Sequence, residues 1–237
     1  MKYLFSIILI SLIMLSGWSQ NSKTNKTIEV TYVKAYKNFK DSTNSAPKVM
    51  KNIEYQLLCN TIEGRFEYIQ TMNNDGLKAN NRFIGRGGGK GVYYKNLKEQ
   101  VKLHQTKSAS EHIYLIKEKL NRYNWELLSD TKKILDYNCF KAIGILKEYD
   151  YLRKKDISIV ITVWYTPSLP IPFGPAGYDG LPGLVLESSS SSFYLIAKEV
   201  KFHDKNLKIE RPTNGKLVSA DEFNKSISEV LKKRFKH

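Results

Sequence analysis

The side chains able to do chemistry are few and scattered. Four histidines, His104, His112, His203 and His237, occur with no H-x-x-x-H and no H-E-x-x-H, the intervals that bring two imidazoles to one face of a helix around zinc. Serines abound, but none stands in a G-x-S-x-G turn that would lift a nucleophile above a sheet. The run Gly85–Gly91 (GRGGGKG) looks at first like a phosphate loop. Yet Ile84 stands where the first glycine is needed, Gly91 follows Lys90 in place of Ser or Thr, and the next segment reads as a strand and not a helix. It is read as a flexible loop. Two cysteines, Cys59 and Cys139, could form one disulfide or remain two buried thiols; separation in space decides. Cys139 lies in a Tyr-Asn-Cys-Phe strand context that argues for an inert thiol. Catalytic residues, a metal site and a cofactor therefore have no positive support, and the expectation is a non-enzymatic protein.

The informative stretch is Trp164–Glu187 (WYTPSLPIPFGPAGYDGLPGLVLE). It holds Pro167, Pro170, Pro172, Pro175 and Pro182 with Gly174, Gly177, Gly180 and Gly183. Proline fixes its own φ and pushes its predecessor toward extended geometry, so the segment is neither helix nor central strand. It also carries Leu169, Ile171, Phe173, Tyr178, Leu181 and Leu184, unlike the polar composition of a flexible linker. The reading is a stiff apolar loop whose shape is set by its backbone.

The elements that must hold this loop read mainly as strands. Thr27–Tyr36 alternates apolar and polar residues, the period of a half-buried strand. Ile53–Cys59 and Gly64–Thr71 suggest a hairpin over Asn60–Glu63, and Met72–Gly91 a mobile loop. Val92–Leu97, Gln100–Thr106 and Glu111–Lys119 are short strands, followed by Tyr123–Leu128, the line Lys132–Ala142 and Ile143–Tyr149. Ile157–Tyr165 (ISIVITVWY) is the most β-branched run and is assigned to the centre of the sheet. Gly183–Ser188 resumes the sheet, Ser188–Ser192 is assigned to a surface turn, and Phe193–Phe202 alternates again. Ser219-Ala220-Asp221-Glu222 fits a capping box, and Phe223, Ile227, Val230, Leu231 and Phe235 form one apolar helical stripe. The fold expected is mainly β: a large antiparallel sheet, curled or sandwiched, with a C-terminal helix.

The chain begins with Lys2, an apolar run Leu4–Leu15 and a short small-residue segment to Gln20. This reads as a signal peptide over residues 1–19, too short for a membrane span, followed by a single domain over 20–237. An exported, periplasmic protein is implied, with association with the outer membrane open. The formal charge of +15 in 237 residues favours anionic surfaces such as lipid headgroups or acidic polymers; nucleic acid is not expected for an exported chain. Oligomeric state is not legible.

The sequence W-Y-T-P-x-L-P-I-P-F-G-P followed by Gly180–Val185 (GLPGLV) resembles the GLPGLI family of exported Bacteroidota proteins. Trp125-Glu-Leu, Lys133, Tyr137-x-Cys139-x-Lys141-Ala142 and Tyr93-Tyr94-Lys95-Asn96 resemble its other blocks in the same order. Val185 replaces the name-giving Ile, and Ser168 stands where Asp is usual. The resemblance implies an envelope protein and brings no activity. By analogy of fold alone, a tryptophan ending a long strand before a Pro-rich turn is similar to half-barrel lipoprotein carriers of the LolA type.

The functional expectation is a binding protein, in which a curved sheet holds an apolar ligand, lipid or hydrophobic peptide segment, closed by the Pro/Gly loop. Its contact residues would be Trp164, Tyr165, Pro167, Leu169, Pro170, Ile171, Pro172, Phe173, Gly174, Pro175, Gly180, Leu181, Pro182, Gly183 and Leu184. The alternative is an assembly partner of an outer-membrane β-barrel or transporter. The same apolar loop residues either plug the sheet or await a partner.

Overall fold

The computed structural model describes residues 26–38, 45–70, 81–85, 88–108 and 111–234. The expected leader and most of the Met72–Gly91 loop lie outside them. Twelve strands form one sheet: β1 Thr27–Tyr36, β2 Lys48–Cys59, β3 Glu63–Tyr68, β4 Val92–Asn96, β5 Val101–Lys107, β6 Ile113–Lys117, β7 Asn124–Ile134, β8 Tyr137–Asp150, β9 Lys155–Thr166, β10 Leu184–Ser190, β11 Phe193–His203 and β12 Lys216–Ser219. Their order is β12-β6-β5-β4-β3-β2-β1-β11-β10-β9-β8-β7. Two successive meanders, β1 to β6 and β7 to β11, therefore meet where β1 pairs with β11. All pairs are antiparallel except β12 with β6, which is parallel, so the sheet is mixed where a purely antiparallel one is expected.

Connectivity alone forces this sheet to curl. β6 and β7 lie near opposite edges, ten strand spacings apart in the order, or about 48 Å in a flat sheet at ~4.8 Å per spacing. Only residues 118–123 join them, and that length of chain reaches at most about 25 Å from Lys117 to Asn124. The edges must approach, leaving an open seam that side chains bridge. Arg122 donates to Glu118 and Glu148, both at 2.6 Å, and the Tyr151 hydroxyl donates to Asp221 at 2.5 Å. Burial works against the charge of Arg122, but the two carboxylates overcome it and hold its pKa above the ordinary value.

Asp221 opens the C-terminal helix, Ala220–Arg234. Its capping box forms as expected: Ser219 Oγ accepts the Glu222 amide at 3.2 Å, and Glu222 Oε2 accepts the Ser219 amide at 2.7 Å. Phe223 meets Tyr114 of β6 edge-on, ring centroids 5.2 Å apart.

Several strand assignments change. Ile157–Tyr165 lies in β9, third from one edge; the central places belong to β1 and β2. Its continuous apolar character arises because Ile161, Val163 and Tyr165 face the core while apolar residues also occupy its outer face. Tyr123–Leu128 and Lys132–Ala142 are parts of one long hairpin, β7–β8. Ser188–Ser190 pair within β10, so only Ser191 and Ser192 make the turn. β2 begins at Lys48, earlier than its alternation suggests.

Candidate functional site

The Pro/Gly loop, residues 167–183, lies inside the curl as a plug. Leu169, Ile171, Phe173, Tyr178 and Leu181 are buried and pack with Tyr32, Tyr55, Leu57 and Phe66 of the sheet. The alternation L-P-I-P-F explains how. Ile171 N donates to Leu169 O at 2.7 Å and Phe173 N to Ile171 O at 2.8 Å, two three-residue turns centred on Pro170 and Pro172. The central residue of an inverse γ-turn needs φ near −75°, which proline's ring already supplies. Apolar side chains thus point in while the prolines face out. Leu184 N then donates to Leu169 O and Val185 N to Phe173 O, at 2.9 and 3.0 Å, which returns the chain to β10. Gly183 permits that return: a Cβ there would lie 2.2 Å from Thr166 O.

A buried ion cluster fastens the plug. Asp179 Oδ1 accepts from Lys95 of β4 at 2.7 Å, and Oδ2 from Lys102 of β5 at 2.8 Å. Lys102 also donates to Gly177 O at 2.9 Å and lies 3.9 Å from Glu118, which links the cluster to Arg122. At the same point Trp125 of β7 donates its indole N–H to Asp179 O at 2.9 Å. Its ring covers Gly144 of β8, where any Cβ would fall 2.6 Å from Trp125 Cζ3. Tyr123 lies between Trp125 and Tyr178, at 5.1 and 5.6 Å between centroids.

The predicted contact residues therefore divide. Tyr165, Leu169, Ile171, Phe173, Gly174, Pro175, Leu181, Gly183 and Leu184 are buried. Pro167, Pro170, Gly180 and Pro182 are exposed, and Pro172 is half-buried. Trp164 alternates with the buried Val163 and Tyr165, so it faces the outside of the sheet. There Lys132 Nζ sits 4.4 Å over its ring and pairs with Glu187 at 2.7 Å. The plug fills the concave side, leaving a void of about 20 Å³ beside Phe173, Lys95 and Asp179.

Open space lies at the rim instead. A cleft of about 420 Å³ is bounded by Asp179–Pro182 at the plug's tip, by Trp125 and Leu127, and by Leu120–Asn124 excluding Arg122. Leu127 is 54% exposed within it. A second cleft, about 860 Å³, follows the seam between β8 and the helix N-terminus. Both are lined by Asn121 and Asn124.

The opposite end holds Lys34, fully buried. It donates to Gly88 O at 2.8 Å, Ile84 O at 3.0 Å and the Tyr55 hydroxyl at 3.4 Å. Burial lowers its pKa to about 7. Gly88 thus packs on Ala176 of the plug and Gly89 on Tyr55 of β2, and Asn81–Ile84 forms a helical turn. Cys59 and Cys139 are buried, unpaired thiols, and burial raises them to about 12 and about 11. His104 stacks on Tyr93 at 4.0 Å and its Nε2 donates to Lys90 O at 2.8 Å. Among the described residues no three His, Cys, Asp or Glu side chains converge on a metal-sized site, and no helix is long and apolar enough to cross a membrane.

Sequence reasoning missed the ion cluster, Lys34 and the Arg122 bridge. Lys95 and Lys102 look like ordinary polar positions of alternating strands, and Asp179 like a turn residue; only their convergence gives them a role.

The model of a family described as "Protein of unknown function (Porph_ging)" matches residues 125–187, from the Trp125 position through β10's Glu187. The expected GLPGLI name is not the one this match carries. No curated protein matches. Among solved structures, PNGF-II in its C2 crystal form aligns at TM-score 0.50 and 20% identity, covering 86% of this chain and 32% of that one. The P21 form gives 0.53 and 20%, covering 85% and 33%. This chain spans about a third of the length of those structures, and at such identity the likeness is one of fold.

Proposed function

We propose that this protein is a non-enzymatic binding module of the cell envelope. It grips a hydrophobic segment of a partner polypeptide in the groove at the rim of its sheet, with the Pro/Gly loop as the rigid wall of the site. The observation that carries this reading is the 420 Å³ cleft lined by the exposed Gly180 and Pro182 of the plug's tip together with Trp125 and the exposed Leu127. Its volume falls in the range of about 300–1,000 Å³ usual for binding sites, and its lining mixes Leu120, Tyr123, Trp125 and Leu127 with Asn121, Asn124 and Asp179. The asset of this one is rigidity: a wall held by proline, buried ions and an indole hydrogen bond loses little entropy when a partner docks. An acyl chain buried inside the curl is disfavoured, because the plug already occupies that volume.

A photo-crosslinking amino acid placed at Leu127, in cells exporting the protein, tests the reading. A discrete protein adduct is expected from position 127 and none from Lys201, on the outer face of β11. Identical products from both positions, or lipid adducts alone from 127, would overturn it. An outer-membrane β-barrel or transporter is the partner class to seek among such adducts.

A further inference from the structure

β7 pairs with β8 only as far as Asn124 opposite Ile145. β8 itself continues to Asp150, paired along its whole length with β9 on the other side. From Leu146 to Asp150 the seam-facing edge of β8 consequently has no strand partner among the described residues. At Asn124 the chain leaves the sheet through the 118–123 connection, and the space beside that edge is the 860 Å³ cleft. An uncovered ladder of N–H and C=O groups is a template for a further strand, and five residues is an ordinary strand length.

We infer that this edge receives an extended segment of a partner polypeptide by strand addition, with an acidic residue opposite Lys147 and an apolar one opposite Tyr149 on its outer face. Main-chain bonds to the Leu146–Asp150 edge would supply affinity and alternate side chains specificity. The side-chain pattern follows from the cleft. On the outer face of β8 the free edge presents Lys147 and, two residues on, Tyr149, which is 43% exposed. Lys117, Lys119 and Lys147 line the cleft with no ion-pair partner among the described residues, whereas Arg122 is already held by Glu118 and Glu148, and Asp221 by Tyr151. Glu126 and Asp221, the latter bonded only by a neutral hydroxyl, are the acids of the lining without an ion-pair partner among the described residues, and on the free edge itself the charge an added strand would meet is that of Lys147. Opposite charges facing across adjacent strands stabilise the pairing, and like charges oppose it. This inference rests on the proposed binding role and adds the chemistry of the partner.

The test uses the full protein and the peptide acetyl-TVTDTVT-amide, followed by amide chemical shifts and hydrogen exchange. Slowed exchange confined to residues 146–150 is expected, with at least tenfold weaker binding when alternate peptide nitrogens are methylated and several-fold weaker binding for TVTKTVT. Lys147→Pro should abolish binding. Because that change could harm folding, Lys147→Glu provides the second test: it leaves the edge intact and should reverse the preference in favour of TVTKTVT. Undiminished binding of the methylated peptide would overturn strand addition. So would protection of 146–150 in the peptide-free protein that grows with its concentration, which would mark a second copy as the occupant. Protection moved to residues 120–127 would overturn strand addition while leaving the cleft at Leu127 standing, and binding at neither place, together with no adduct from position 127, would remove both.

Discussion

The carboxylate of Asp179 accepts from the ammonium of Lys95 at 2.7 Å, joining the plug to β4 across 84 residues of chain. Lys102 completes the contact from the next strand, so two cations share one anion in a place closed to water. Removing one member of such a buried group leaves an uncompensated charge and typically costs 3–5 kcal/mol.

Asp179→Asn should therefore destabilise the fold by about 3–5 kcal/mol in denaturant titration. Replacing Lys95, Lys102 and Asp179 together by apolar residues of similar volume should restore most of that loss, since apolar replacements of whole buried ion groups are often neutral or better. A triple variant as unstable as the single one would show that the cluster does more than satisfy its own charges.

Gly144 is the floor on which Trp125 rests. Gly144→Ala should push the indole away and break its bond to Asp179 O, at a cost of about 1–3 kcal/mol. Trp125→Phe keeps most of the packing and should lose only about 1 kcal/mol for the hydrogen bond. Calorimetric unfolding of both variants distinguishes a packing role from a hydrogen-bonding one.

Lys34 gives a signed dependence on pH. Its folded pKa, about 7, lies below the ordinary lysine value because burial disfavours the charge. Between those two values the unfolded chain binds the extra proton, so this group makes stability rise with pH there. Below pH 7 both states are protonated and the contribution is flat. Between pH 7.5 and 9.5 the wild-type slope should exceed that of Lys34→Met by nearly one proton. Equal slopes would mean that Lys34 remains charged in the fold.

Both cysteines should be silent to iodoacetamide in the native protein at pH 8, because only the thiolate reacts and burial suppresses it at each site. In denaturant two thiols per chain should titrate without reductant. Finding none would indicate a disulfide and a different placement of β2 against β8.

The prolines act partly through the unfolded chain. Pro170→Ala and Pro172→Ala should each cost about 0.4–1 kcal/mol, because alanine frees conformations that proline denies to the unfolded state. Thermal midpoints measure this directly.

Much of the architecture could be read from the chain because its signals are local. Alternation marks β1 and β11, Ser219 and Glu222 announce the helix, and the proline spacing announces a preset loop. Edge and centre were harder to tell apart. β9 is apolar on both faces, the usual mark of a central strand, yet it lies near the seam, with Val160 54% exposed. The direction of the loop's apolar residues was equally closed to sequence reasoning: Leu169, Ile171 and Phe173 have the same composition whether they plug a sheet or await a partner. Lys95, Lys102 and Asp179 gave no signal, since what unites them is a meeting of three distant segments.

The short connection 118–123 has a consequence for how the molecule could be divided. It separates two meanders, each built from sequence neighbours, whose chief common boundary is the β1–β11 pairing. A backbone nick between Leu120 and Asn121 would yield two fragments, one holding β1 to β6 and the other the plug with β7 to β12 and the helix. Mixing them should regenerate the native assembly through complementation, with Asp179 finding its two lysines on the opposite piece.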